Sequence, residues 1–163
     1  MRIITTFGYI GLLRPAPGTW GSAAALGLGL LIDRYLGAPM LAVAFVAVTA
    51  LGFWACAHEL ADRPGDDPSE IVIDEVAGQW LALLFPALAF YFGPGKDGFL
   101  PWPAWVAAFA LFRLFDIWKP WLVGRADLRH DPAGVMLDDL WAGLFAGICV
   151  IVGGIVWHVV LFS

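Results

Sequence analysis

Two acidic pairs, Asp74-Glu75 and Asp138-Asp139, each stand at the head of a long apolar run, and a fifth acid, Asp116, closes another. Charge at the mouth of an apolar segment is costly and needs a reason. Five carboxylates gathered in a partly dry site would repel one another, and a divalent cation relieves that repulsion. An all-oxygen ligand set without a histidine or cysteine cluster favours Mg²⁺, with Mn²⁺ as the alternative, over Zn²⁺. Asp74, Glu75, Asp116, Asp138 and Asp139 are therefore the candidate catalytic groups and metal ligands. Arg113 and Lys119 flank Asp116 and would neutralise a phosphate held beside the cation. Acids at helix starts also complement the helix dipole, so capping and internal ion pairs are the competing explanation. Neighbours on a helix lie about 100° apart, so one acid of each pair can face the helix bundle while the other faces the loop.

A second chemical element is Pro15-Ala16-Pro17-Gly18-Thr19-Trp20-Gly21-Ser22, just ahead of an apolar helix. Thr19 or Ser22 can cap that helix, and free amides at its start suit a phosphate group. No Gly-Lys-Ser/Thr follows, so this is not a Walker A loop. Thr19, Ser22, Arg113 and Lys119 make up the candidate phosphate-binding set, and His130 is a candidate acid for the leaving group. Neither Cys56 nor Cys149 has an arginine six positions on, which excludes a cysteine-phosphatase loop, and no Asp-x-Asp pair suits an aspartyl-phosphate enzyme. Both cysteines read as small hydrophobes in apolar runs. A water activated at the metal is the favoured nucleophile, and direct attack by Asp138 or Asp139 the alternative.

The elements that must position these groups follow from composition. Of 163 residues 61% are hydrophobic and 14% charged, and the mean hydropathy is +0.80, which reads as one integral membrane domain over residues 1–163. Net charge is −5, with no basic surface for nucleic acid. The start of the chain lacks a convincing signal peptide and is expected to be retained. Five apolar segments predict an all-α fold: Ser22–Leu36, Ala38–Ala57, Val76–Phe92, Pro103–Phe115 and Leu140–Phe162. The first and fourth are short and would tilt or insert in part. Pro120 should end the helix carrying Arg113 and Asp116. Small-residue pairs, Ala23 with Gly27 and Gly143 with Gly147, are expected to bring helices close inside the fold, a homodimer through the second pair being the alternative.

With five spans, one side collects Arg2, Arg14, Arg63, Arg113, Lys119, Arg125 and Arg129, and the other only Arg34 and Lys96. The positive-inside rule puts the first side, and with it every candidate chemical group, at the cytoplasmic helix ends. A transporter for a divalent cation or anionic solute is the rival function. It would set charges along a path between the two faces, usually in a repeated half; here they gather on one face and no repeat occurs. A purely structural membrane subunit would leave the five acids unexplained.

Four groups of residues together resemble the phosphatidylglycerophosphatase A family: Pro17-Gly18-Thr19-Trp20-Gly21-Ser22; Ile73-Asp74-Glu75-Val76-Ala77-Gly78; Phe112-Arg113 with Asp116-Ile117-Trp118-Lys119-Pro120-Trp121; and Met136-Leu137-Asp138-Asp139 with Ala142-Gly143. They occur in the family's order over nearly the whole chain. Where the family has a glycine-rich stretch after its histidine, this chain has His130-Asp131-Pro132-Ala133-Gly134. The resemblance implies a multi-pass enzyme of the bacterial cytoplasmic membrane. Such an enzyme uses Mg²⁺ to remove the terminal phosphate of phosphatidylglycerophosphate, a membrane phospholipid, to give phosphatidylglycerol.

Overall fold

A computed structural model describes residues 1–61, 68–93, 100–129 and 131–162. Among the described residues every regular element is helical: α1 (Arg2–Thr5), a 3₁₀ turn (Ile10–Leu12), α2 (Pro17–Leu36), α3 (Ala38–Glu59), α4 (Ile73–Phe92), α5 (Trp102–Trp118), α6 (Leu122–Asp127) and α7 (Pro132–Phe162). Local sequence explains several boundaries. Pro17 and Pro132 occupy first helical positions, where the missing N–H costs nothing. Asp131 caps α7, accepting a hydrogen bond from the Gly134 amide at 2.6 Å. α5 stops at Trp118, with Lys119 left-handed at φ 50° ahead of Pro120.

α4 is the hub. In its most apolar stretch 56% of residues are buried, against 22% for α3 and 17% for α7. α2 runs parallel to α4 along its whole length. Gly21 meets Val72, the Trp80 indole donates to the Ala25 carbonyl at 2.8 Å, Gly29 meets Leu83, and Gly37 meets Tyr91. The buried small-residue row of α2 is thus Gly21, Ala25 and Gly29; the expected pair, Ala23 and Gly27, faces outward, and Gly27 has open space around it. The expected Gly143–Gly147 pair does pack inside the fold. Gly143 lies against the Gly78 backbone and Gly147 against the Phe85 ring, so α4 and α7 cross with almost nothing between them. Phe112 of α5 fills the adjoining space and is fully buried.

Among the described residues three helices, α3, α4 and α7, are long and apolar enough to cross a membrane. α2 carries Asp33 and Arg34 in its last turn, and α5 has only 17 residues, so neither matches them in both length and composition. Of the two cysteines Cys56 is buried as expected, but Cys149 is exposed on the outer face of α7. His130, Arg63, Lys96 and Asp97 lie outside the described residues.

Candidate active site

The N-terminal parts of three helices and the C-terminal end of a fourth converge on a single cavity of about 310 Å³. The start of α2 forms one wall through Ala16, Pro17, Gly18 and Thr19. The head of α4 brings Asp74 and Glu75, α7 brings Asp138 and Asp139 from six and seven residues past its start, and the end of α5 brings Arg113, Asp116 and Lys119. Pro68, Ser69 and Ile71 close the side ahead of α4. That segment is held by the N-terminus: Thr5 accepts from the Val72 amide at 2.8 Å, and Arg2 pairs with Glu70 at 2.8 Å.

All five acids line this cavity, so both members of each pair face it. The arrangement in which one of each pair turns to the loop is not the one adopted, because the cavity lies between the N-terminal parts of α4 and α7. Within both pairs the first acid is fixed by the second: the Glu75 amide donates to Asp74 Oδ1, and the Asp139 amide to Asp138 Oδ1, each at 3.0 Å.

Among the described residues Asp116 and Asp138 form ion pairs with cations, and the other three acids form none. Arg113 donates to Asp116 Oδ2 at 2.5 Å and reaches Thr19 Oγ1 and Ser22 Oγ, each at 3.4 Å. Lys119 Nζ donates to Asp138 Oδ2 at 3.0 Å and also to Asp127. Burial pulls the Lys119 ammonium down, but its bonds to Asp127 and Asp138 outweigh that and hold it well above the usual lysine range. Asp74, Glu75 and Asp139 remain, each able to bring an oxygen within 4.8 Å of the others. Glu75 Oε2 is buried without a hydrogen-bond partner. Three convergent carboxylates with an unsatisfied buried oxygen suit a small hard cation. The donor chemistry therefore fits Mg²⁺ or Mn²⁺.

Thr19 lies on the cavity wall as expected, although neither it nor Ser22 caps α2: the helix begins at Pro17 without a side-chain cap. Ser22 is buried behind the wall, donating to the Gly18 carbonyl at 2.7 Å. Lys119 reaches the cavity already engaged by two acids. Asp127, its second partner, escaped sequence reasoning, since nothing in a spacing of eight residues across a proline links the two. Gly18 has a reason beyond helix initiation: a side chain there would run into the Glu75 carboxylate.

Comparison with known proteins identifies the family. The family model Phosphatidylglycerophosphatase A matches residues 3–153. A Haemophilus influenzae protein named Phosphatidylglycerophosphatase A is 36% identical over 142 residues, covering 86% of this chain and 80% of its own length. The Escherichia coli protein of the same name is 35% identical over 146 residues, covering 88% and 77%. A Bacteroides thetaiotaomicron protein with the provisional name phosphatidylinositol-3-phosphatase is 38% identical over 143 residues, covering 84% and 82%. No solved structure gives a significant match. With the family model spanning nearly its full length, the chain belongs to the phosphatidylglycerophosphatase A family.

Proposed function

We propose that the protein hydrolyses the terminal phosphomonoester of phosphatidylglycerophosphate, giving phosphatidylglycerol and inorganic phosphate. The observation that carries this reading is the cavity itself, which sets an uncapped helix start and Arg113 opposite Asp74, Glu75 and Asp139. Asp74, Glu75 and Asp139 would hold Mg²⁺ or Mn²⁺, and the bound cation would polarise phosphate oxygens and offset their charge. The Gly18 and Thr19 amides, the Thr19 hydroxyl and the Arg113 guanidinium seat the remaining phosphate oxygens. Asp116 keeps Arg113 aimed at them. Asp138 has one oxygen on Lys119 and the other on the Asp139 amide, which orients it but leaves it poorly free to attack phosphorus. Water is then the nucleophile: its oxygen joins phosphorus, the ester P–O bond breaks, and the glycerol oxygen leaves with a proton.

We read all five longer helices as crossings of a bacterial cytoplasmic membrane, with the cavity on the cytoplasmic side. In support, α2 runs beside α4 throughout, and Arg2, Arg113, Lys119, Arg125 and Arg129 cluster at the cavity end while Arg34 sits at the other. The test is phosphate release by purified protein in mixed micelles, with Mg²⁺ and with EDTA. Phosphatidylglycerophosphate should be cleaved only with the metal. Phosphatidylinositol 3-phosphate belongs in the same assay because of the Bacteroides relative; preferential cleavage of that lipid would replace the headgroup assignment, and no cleavage of either would end the phosphatase reading.

A further inference from the structure

The corner between α5 and α6 does two opposite things within four residues. It carries Lys119 into the acid-lined cavity and turns Trp118 and Trp121 outward, 66% and 74% exposed. Lys119 and Trp121 both hold positive φ, 50° and 46°, which side chains adopt only when surroundings impose it. Ile117, before the corner, is 73% exposed. Across the cavity, Leu13 and Trp20 stand out on either side of the α2 start that forms the facing wall. The two walls meet where Thr19 faces Arg113.

These indoles and aliphatic side chains do not line the cavity; they flank its two walls as an exposed apolar rim, for which an opening onto water has no use. At the end of a membrane bundle such residues belong at the headgroup level, where indoles are enriched. Exposed Arg14 and Arg125 lie beside these apolar residues and suit anionic headgroups. Size points the same way. At about 310 Å³ the cavity is at the small end of the roughly 300–1,000 Å³ usual for ligand pockets. It can take a phosphorylated headgroup but not two acyl chains, which must lie outside against the rim.

We propose that the gap between the start of α2 and the α5–α6 corner is a lateral portal lying in the headgroup layer. An anionic phospholipid enters through it from the leaflet, its phosphate reaching Arg113 while its acyl chains rest along Ile117 and Trp20. This deepens the lipid-phosphatase reading and rests on it for the identity of the cargo.

The test places single spin labels at Trp121→Cys and Leu13→Cys. Cys149→Ala removes the exposed native thiol, and Cys56 stays buried. The full chain is reconstituted in vesicles of phosphatidylcholine with phosphatidylglycerol. Both labels should collide more often with dissolved oxygen than with a water-soluble nickel chelate, at a depth near the headgroups. Greater access to the chelate would show a mouth open to water and overturn the portal. Dipolar broadening between labels would show a second copy covering the rim and overturn it equally. Label depth is independent of phosphate release, so a negative hydrolysis assay would remove the enzymatic reading without deciding the portal.

Discussion

Asp139 is the acid on which the proposed chemistry depends most, because it is almost fully buried, adjoins Asp74 and Glu75, and has no cationic partner among the described residues. Asp139→Asn should reduce phosphate release by about 10²–10³-fold, the usual cost of removing one preorganised charge-stabilising group. It should also abolish the Mg²⁺-dependent gain in melting temperature, a gain worth about 2.7 kcal/mol in wild type at a hundredfold excess over Kd. In EDTA the variant should melt no lower than wild type, since a mutually repelling carboxylate has been removed. A lower melt would make Asp139 structural. Lys119 behaves in the opposite sense. Lys119→Met leaves Asp138 and Asp127 facing each other and should cost about 1–2 kcal/mol, less than for a fully buried pair because the ammonium is partly exposed. Arg125→Ala, on the outer surface, should leave melting close to wild type and lower turnover far less than Asp139→Asn.

At the scale of elements, the cavity depends on how closely α4 approaches α7. Gly143→Ala would drive a methyl group into the Gly78 backbone and should destabilise by about 1–3 kcal/mol, as overpacking does. Gly153→Ala on the same helix meets open space and should be neutral or stabilising by up to about 1 kcal/mol, so comparing their melts in detergent separates packing from helix propensity. The α7 cap is a third handle. The Arg129 fork and the Gly134 amide hold the Asp131 carboxyl below its usual range. A depressed pKa gives stability that is present above the ordinary carboxylate value and lost as pH falls through the folded one. Asp131→Ala should therefore lower the melting temperature at pH 7, and the difference from wild type should shrink in acid. Much of this organisation was legible beforehand: Pro120 and the Asp74-Glu75 pair marked helix ends because breakers and charges act locally, whereas α7 begins at Pro132, six residues ahead of Asp138. What stayed hidden was which face each helix turns inward. Gly21 and Gly29 pack where Ala23 and Gly27 were expected, since a helix of small and apolar residues on every side has no face that periodicity can pick out. Both acids of each pair line the cavity for a related reason, namely that the site is enclosed by the N-terminal parts of several helices instead of lying along one side.

For the whole molecule, the five longer helices alternate in direction, so the chain ends fall on opposite sides if all five cross. A reporter fused after Ser163 should be found outside the cytoplasm, and one inserted near Asp127 inside it. Finding both on one side would overturn the five-crossing reading. The sequence could locate apolar segments but could not assign α2 and α5, because a short or charged helix crosses only when neighbours shield it, and that depends on the assembled bundle. The same limit applies to Asp127, whose partnership with Lys119 arises only when α6 folds back under α7.

The bare contact between Gly78 and Gly143 acts as a calliper. It lies just below both acidic heads, with the Asp139 carbonyl 2.5 Å from where a Gly78 side chain would begin. The jaw between Asp74-Glu75 and Asp138-Asp139 is thus gauged by two missing methyl groups. Mg²⁺ binds oxygen at about 2.0–2.1 Å and Ca²⁺ at about 2.3–2.6 Å, a difference smaller than one methyl group. Inserting that methyl as Gly78→Ala or Gly143→Ala should spread the jaw and move cation preference toward the larger ion, read as the ratio of Ca²⁺- to Mg²⁺-induced melting shifts. Ion selectivity in this protein would then be tuned at a helix crossing that touches no ion.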